Sequence, residues 1–354
     1  MYEFIFWLFI NSIHLATLTN IATANPSKRV EQSTFAEFYG SLAEDSDTAR
    51  KINFLSKKSG IDTRFSVLPV LTWPFNHNLT EKMELFHLEA QKLAFKAVVN
   101  LGVGINHSTF TDLIVVSCTG MRAPGLEYDL IRTFSLPTNI HRYNINFMGC
   151  YAGIIALRLA KTICQQPNRK VLIVSVELCT LHFQKSFADD YLLSNLIFGD
   201  GSAAAIVSSE EDQTGLRLDG FTSDVLPESK NAMAWNISEH GFLMELKSTV
   251  PKIIHEHIHL PPSYNIADLD QLRWAVHPGG VQILDVIEQK FKLKKTALLA
   301  SRDTLRKHGN MSSATILFIL KQLLDDTENQ NPVFACAFGP GLTFETLYAN
   351  YVGK

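Results

Sequence analysis

The chain holds few of the features that mark a secreted, nucleic-acid-binding or metal protein. Its five cysteines, Cys118, Cys150, Cys164, Cys179 and Cys336, are odd in number and never fall in a metal-type pair spacing. That argues against a disulfide framework and against a structural metal site, and fits reduced thiols in the cytoplasm. The formal net charge is −3 and no basic run stands out, so a nucleic-acid surface is not indicated. No Lys or Arg precedes Lys28. The apolar run Phe4–Ile10 and the small-residue triplet Ala22-Thr23-Ala24 therefore lack the positive n-region of an export signal. The run is also too short to span a bilayer. Residues 1–12 read as an upstream extension, and membrane association is not expected. A low-complexity linker is absent as well.

What is present is a globular chain of 354 residues, 46% hydrophobic, large enough for two fused core units. Apolar strand candidates are Leu113–Ser117, Val171–Val174, Ala203–Val207, Trp274–His277 and Val333–Ala337. Helical periodicity appears in Thr34–Leu42, Glu81–Val99, Tyr151–Ile163, Val281–Phe291 and Ser313–Leu324. Continuous apolar strands between helices indicate sheets buried on both faces. The residues alone thus give an α/β chain with two sheets.

Chemistry enters at Cys150, in Asn146-Phe147-Met148-Gly149-Cys150-Tyr151-Ala152-Gly153. The segment reads as a strand end, a tight turn and a helix, with Cys150 near the first helical turn. There the helix dipole favours the thiolate. Downstream stand His277, in Trp274-Ala275-Val276-His277-Pro278-Gly279-Gly280, and Asn310, in Lys307-His308-Gly309-Asn310-Met311-Ser312-Ser313. Cys, His and Asn suffice for acyl transfer through a thioester. Taken singly, each has a plainer explanation: a buried small hydrophobe, a turn residue, a cap. The joint pattern outweighs those, because Phe198-Gly199-Asp200-Gly201 and Phe338-Gly339-Pro340-Gly341 add two glycine-rich breaks beside apolar strands.

At these motifs the chain resembles the chalcone synthase-like type III polyketide synthases, from about His14 to about Tyr348. The resemblance implies a thiolase-like five-layered αβαβα fold built from two similar halves. Residues 13–210 would carry the nucleophile, and residues 211–354 the His and Asn. It further implies a homodimeric, cytoplasmic acyltransferase that needs no metal, organic cofactor or carrier protein. Its substrates would be an acyl-CoA starter and malonyl-CoA. Cys150 would take the acyl group, held ionised by His277, while His277 and Asn310 stabilise the oxyanion and the enolate left by decarboxylation. Phe198 matches the gatekeeper phenylalanine whose apolar ring disfavours the malonyl carboxylate.

Several positions depart from the plant pattern. Met244 takes the second gatekeeper place, Trp235 replaces a small Gly, and His182 and Cys118 replace Thr; Ser312, Gly339 and Pro340 complete the expected cavity wall. Ala123, in the Arg122–Gly125 loop that reaches toward the partner, replaces a Met. These changes resemble bacterial members, which make pyrones, resorcinols, phloroglucinols or naphthalenes. Lys51 and Lys58 match two of three basic positions that hold the CoA phosphates. The third falls on Phe54, so its charge is either missing or supplied by Arg50 or Lys57. Two rivals remain: a single-condensation ketoacyl-acyl carrier protein synthase of the same fold, and a non-catalytic acyl-binding subunit. The alternating His255, His257 and His259 are set aside as surface or helix-end residues, and Gly199-Asp200-Gly201 as a turn in which Asp200 caps locally.

Overall fold

The computed structural model describes residues 15–69, 76–264, 266 and 268–353. The proposed 1–12 extension and His14 lie outside them. Nine strands form one mixed sheet, in the order Arg273–Val276, Val333–Gly339, Thr343–Val352, Gly215–Val225, Thr17–Ala24, Asp200–Ser208, Lys170–Leu178, Asp112–Ser117 and His141–Asn146. Asp112–Ser117 runs parallel to both of its neighbours, and Arg273–Val276 runs parallel to Val333–Gly339. The remaining pairs are antiparallel. The sequence reading expected two sheets. They are continuous here because Thr17 and Leu18 pair with Arg217 and Leu216, a seam of two residue pairs.

The layers follow from the two-residue period of each strand. Ile114, Val116, Ile173, Ala203, Ala205 and Val207 face inward onto Ile154, Leu157 and Ala160 of helix Ala152–Ile163. The alternate residues Leu113, Val115, Leu172, Val174, Ala204 and Ile206 face outward onto Phe86, Ala90, Leu93 and Ala97 of helix Leu79–Val99. In the other run Ala275, Ala335, Ala337 and Leu347 share the inner core with Ile316, Ile319 and Leu320 of helix Thr315–Asp325. Trp274, Val276, Phe334 and Cys336 turn outward to Ile283, Leu284 and Ile287 of helix Val281–Phe291 and Leu305 of helix Leu299–His308. The result is helix, sheet, paired central helices, sheet, helix: a thiolase-like αβαβα stack.

The two central helices are buried along their N-terminal halves, where each Leu or Ile they bury contributes about 1.5–3 kcal/mol. Their approach needs Gly153, where a Cβ would come within 2.5 Å of the Ser313 carbonyl oxygen. Both helix N-termini consequently open at the same place, one beside Cys150 and the other beside Asn310.

Candidate active site

Cys150 sits in a turn that its neighbours make possible. Phe147 and Gly149 adopt φ of 61° and 94°, and a Cβ on Gly149 would strike Pro340 Cδ at 2.1 Å. The helix begins at Ala152, so Cys150 stands two residues ahead of it, near its first turn. The Ser312 and Asn310 side chains hydrogen-bond its thiol. Burial pushes the thiol up to about 12; the Ser312 and Asn310 donors pull the other way, and the Glu177 charge adds to the rise.

His277 follows strand Arg273–Val276 and donates its backbone N–H to the Cys336 carbonyl oxygen at 2.8 Å. The residue is buried and neither ring nitrogen has a hydrogen-bond partner among the described residues. Burial pulls its pKa down to about 3. Burial thus works against the thiolate–imidazolium pair expected from the sequence. Desolvation disfavours the charge on each group taken alone. A neutral imidazole is still a base, and its unpartnered nitrogens are open to a proton or a substrate oxygen.

Asn310 is placed by one local interaction and one distant pairing. Its Oδ1 accepts from the Ser312 backbone N–H at 2.8 Å, which orients the amide. Its backbone pairs with the Phe198 turn: Gly199 N–H donates to the Asn310 carbonyl at 2.9 Å, and Asn310 N–H donates to that of Ile197 at 3.0 Å. Fully buried Arg64 fastens this turn, donating to the carbonyls of Asn195 (2.6 Å) and Phe198 (2.8 Å) and to Gln32 Oε1. Asp200 does not cap locally. It accepts from the backbone N–H groups of Val67 and Thr180 and from the Thr180 hydroxyl, tying three segments together.

These elements enclose a cavity of about 310 Å³. Cys150, His277, Asn310, Phe198, Met244, Cys118, Trp235, Ser312, Pro340 and Lys58 all line it, so ten residues singled out from the sequence converge. Three others do not reach it. Gly339 lies beneath the nucleophile, where a Cβ would meet Tyr151 Cδ1 at 2.6 Å and the Cys150 backbone nitrogen at 3.2 Å. His182 faces a separate small cavity of about 10 Å³. It is locked there, with Nδ1 accepting from Phe242 N–H at 3.1 Å and Nε2 donating to the Thr119 carbonyl at 2.6 Å. Lys51 is exposed and ion-paired with Asp189. Burial pushes the Cys118 thiol pKa up, and its sulfur accepts from Gly149 N–H at 3.0 Å.

The sequence reading missed Glu177, a fully buried carboxylate behind the cavity wall. It accepts from Cys118 N–H at 3.0 Å, the Thr119 hydroxyl at 2.7 Å and the Ser313 hydroxyl. A single acid inside the apolar run Val171–Leu178 was the available signal. Among the described residues, no cluster of His, Cys, Asp or Glu could hold a metal ion.

A buried thiol, an unpartnered imidazole and an oriented amide in a thiolase-like fold define an acyl-transfer enzyme that works through a thioester. The chain matches the N-terminal domain of the chalcone and stilbene synthases over residues 10–211 and their C-terminal domain over residues 217–352. It belongs to that family. Among solved structures it is similar to the C-terminal type III polyketide synthase domain of Steely1, a type I/III hybrid from Dictyostelium. The identity is 25% and the TM-score 0.89, covering 96% of this chain and 99% of that one. The protein is a type III polyketide synthase, an acyltransferase that uses malonyl-CoA.

Proposed function

We propose that Cys150, His277 and Asn310 carry out loading, decarboxylation and chain extension in one cavity, repeatedly, before the product cyclises. The observation that supports this most is the convergence of the Cys150 thiol, the two open His277 nitrogens and the Asn310 amide on the same buried space.

In loading, His277 takes the Cys150 proton as sulfur attacks the acyl-CoA carbonyl. The carbon–sulfur bond to CoA then breaks and CoA leaves with that proton. Malonyl-CoA next loses carbon dioxide, and the electron pair remains on the enolate of acetyl-CoA. Asn310 and His277 donate to the enolate oxygen, each donor being worth about 3 kcal/mol. Phe198 lowers the polarity around the carboxylate, which favours release of neutral carbon dioxide. The enolate carbon attacks the Cys150 thioester and frees the thiolate, which recovers a proton, and the chain has grown by two carbons. Asparagine serves better than aspartate at position 310, because a carboxylate would repel both anions.

In this reading the enzyme needs no metal, organic cofactor or carrier protein. It acts as a cytoplasmic homodimer through the exposed Met121–Pro124 loop and the edge strand His141–Asn146. Among the described residues, no helix is long and apolar enough to cross a membrane. Pyrones, resorcinols or phloroglucinols are the product classes that the Trp235 and Met244 walls favour over a chalcone.

The test is mass spectrometry of products from labelled malonyl-CoA with short, aromatic and long-chain acyl-CoA starters. Products with two or more malonyl-derived units support the reading. Single-condensation products, or none until a carrier protein is added, would move the chain to the ketoacyl synthase reading. Loss of all turnover in Cys150→Ala with the fold intact disposes of a non-catalytic subunit.

A further inference from the structure

One wall of the main cavity is carried by a hairpin, strands Met233–Ser238 and Gly241–Leu246, whose ladder joins no strand of the nine-stranded sheet. Residues paired across a hairpin share a face. Met233 pairs with Leu246 and Trp235 with Met244, and all four line the cavity. The other face carries the exposed pair Asn236 and Glu245, bonded to each other at 2.8 Å. Where this wall stands therefore depends on what holds the hairpin.

The hairpin is held at its tip. The His240 carbonyl accepts from Lys82 Nζ at 2.7 Å and from Gln184 Nε2 at 3.3 Å, and the Glu239 carbonyl accepts from Leu79 N–H at 2.8 Å. Lys82 is fully buried, and it follows the capping box that Asn78 and Glu81 make at the start of helix Leu79–Val99. Three things make this a costly place for a lysine. The positive end of the helix dipole repels a cation, burial strips the ammonium of water, and no carboxylate among the described residues offsets that burial. Burial pulls its pKa down to about 8, so the ammonium form still prevails at neutral pH. What the position gains is a charged donor to the hairpin, stronger than a neutral one. Gly241 makes room for it: at φ 114°, a Cβ there would come 3.1 Å from Lys82 Nζ and 3.2 Å from His182 Nδ1.

We propose that Lys82 is a positioning residue for the cavity wall: its bond to the His240 carbonyl latches the hairpin tip to the core and fixes how far Trp235 and Met244 reach into the cavity. Met244 lies four residues along the strand from that carbonyl, about 13 Å at the usual strand rise, so Lys82 acts through the hairpin and not on the substrate. A two-stranded hairpin has little stability of its own, and releasing its tip loosens the face that lines the cavity. The consequence for products, a limit on the number of malonyl units, rests on the synthase reading given above.

The test pairs amide hydrogen exchange of the hairpin with the product ladder from labelled malonyl-CoA, both read by mass spectrometry. In Lys82→Met, the hairpin amides are expected to exchange about tenfold faster while those of helix Ala152–Ile163 keep their rate. The share of the principal product should fall about threefold, with longer products taking its place, and alkylation of Cys150 should stay within about twofold. Lys82→Arg, which keeps a charged donor, should restore most of the natural ladder. Gln184→Leu, from a half-buried position, removes the weaker donor to the same carbonyl. It should move both readouts the same way by less, so it decides the matter where Lys82→Met does not fold. Natural exchange in the hairpin overturns the latch. Faster exchange with unchanged product ratios, or an equal loss of every product, reduces Lys82 to a core residue and overturns its positioning role. A natural protein that makes no malonyl-derived product at all defeats the synthase reading instead, and the exchange rates then decide the latch by themselves.

Discussion

The indole N–H of Trp235 donates to the backbone carbonyl of Cys118 across 2.7 Å. That bond pins the ring between the main cavity and the small cavity behind it, both of which it lines. His182 and Phe242 hold it edge-on, each with ring centroids 5.8 Å away, and Met244 is its cross-strand partner. Trp235 therefore sets the length of the cavity on this side. Trp235→Gly should merge the two spaces and yield products with more malonyl units or bulkier starters, read by mass spectrometry. Thermal unfolding should show a cost of about 3 kcal/mol. An unchanged product ladder would sink the assignment.

His277 is expected to control Cys150 ionisation, because burial pushes the thiol up to about 12 and leaves His277 as the adjacent base. His277→Ala should slow alkylation of Cys150 by iodoacetamide at pH 7 by about a hundredfold. The deficit should shrink as the pH rises and hydroxide takes over the deprotonation. Superimposable rate profiles for the two proteins would show that His277 does not hold the proton.

Arg64 is a positioning residue that acts through Phe198 and Asn310. Arg64→Met strips the Asn195 and Phe198 carbonyls of their donors inside the core, a loss of about 3–5 kcal/mol in urea unfolding. Malonyl-CoA decarboxylation should fall by more than CoA affinity does, because the gatekeeper turn and the Asn310 backbone paired with it shift together. Arg64→Lys should recover part of the rate. A uniform loss of both quantities would reduce Arg64 to a core residue.

His182 makes a separable contribution to acid sensitivity. Burial pulls its pKa from 6.5 down to about 3, so the unfolded chain takes up a proton that the folded one refuses. Relative to His182→Asn, the natural protein should lose stability as pH falls from 6.5, by up to about 1.4 kcal/mol per pH unit. The loss levels off near pH 3, the folded value. Taking the difference between the two proteins cancels the opposing effect of buried Asp200, whose pKa is raised to about 7. A pH-independent difference would mean that His182 is solvated or charged in the fold.

Much of the fold was legible where a segment is buried by its own pattern. Val281–Phe291 forms a helix over the predicted residues, and strands Asp112–Ser117 and Val333–Gly339 extend their predictions by a residue or two. Helix Ser46–Lys58 buries only Ile52 and Ser56, and edge strand His141–Asn146 turns only Tyr143 and Ile145 toward the core, so the apolar period of each is too short to read. Glu177 hid for the opposite reason, as one acid among apolar neighbours.

The sequence by itself named Cys150 in its glycine-bounded turn, His277 and Asn310 as candidates, and the alternation of apolar strands and helices that makes an α/β chain. These depend on residue type and spacing, which the chain states directly. The tertiary structure decided the rest. Lys51 went to Asp189, 138 positions away, and His182 to the Thr119 carbonyl, 63 away. Partners that distant leave no trace in spacing. The cost of a charge on Cys150 or His277 was decided in the same way, because it is set by how completely the folded layers exclude water.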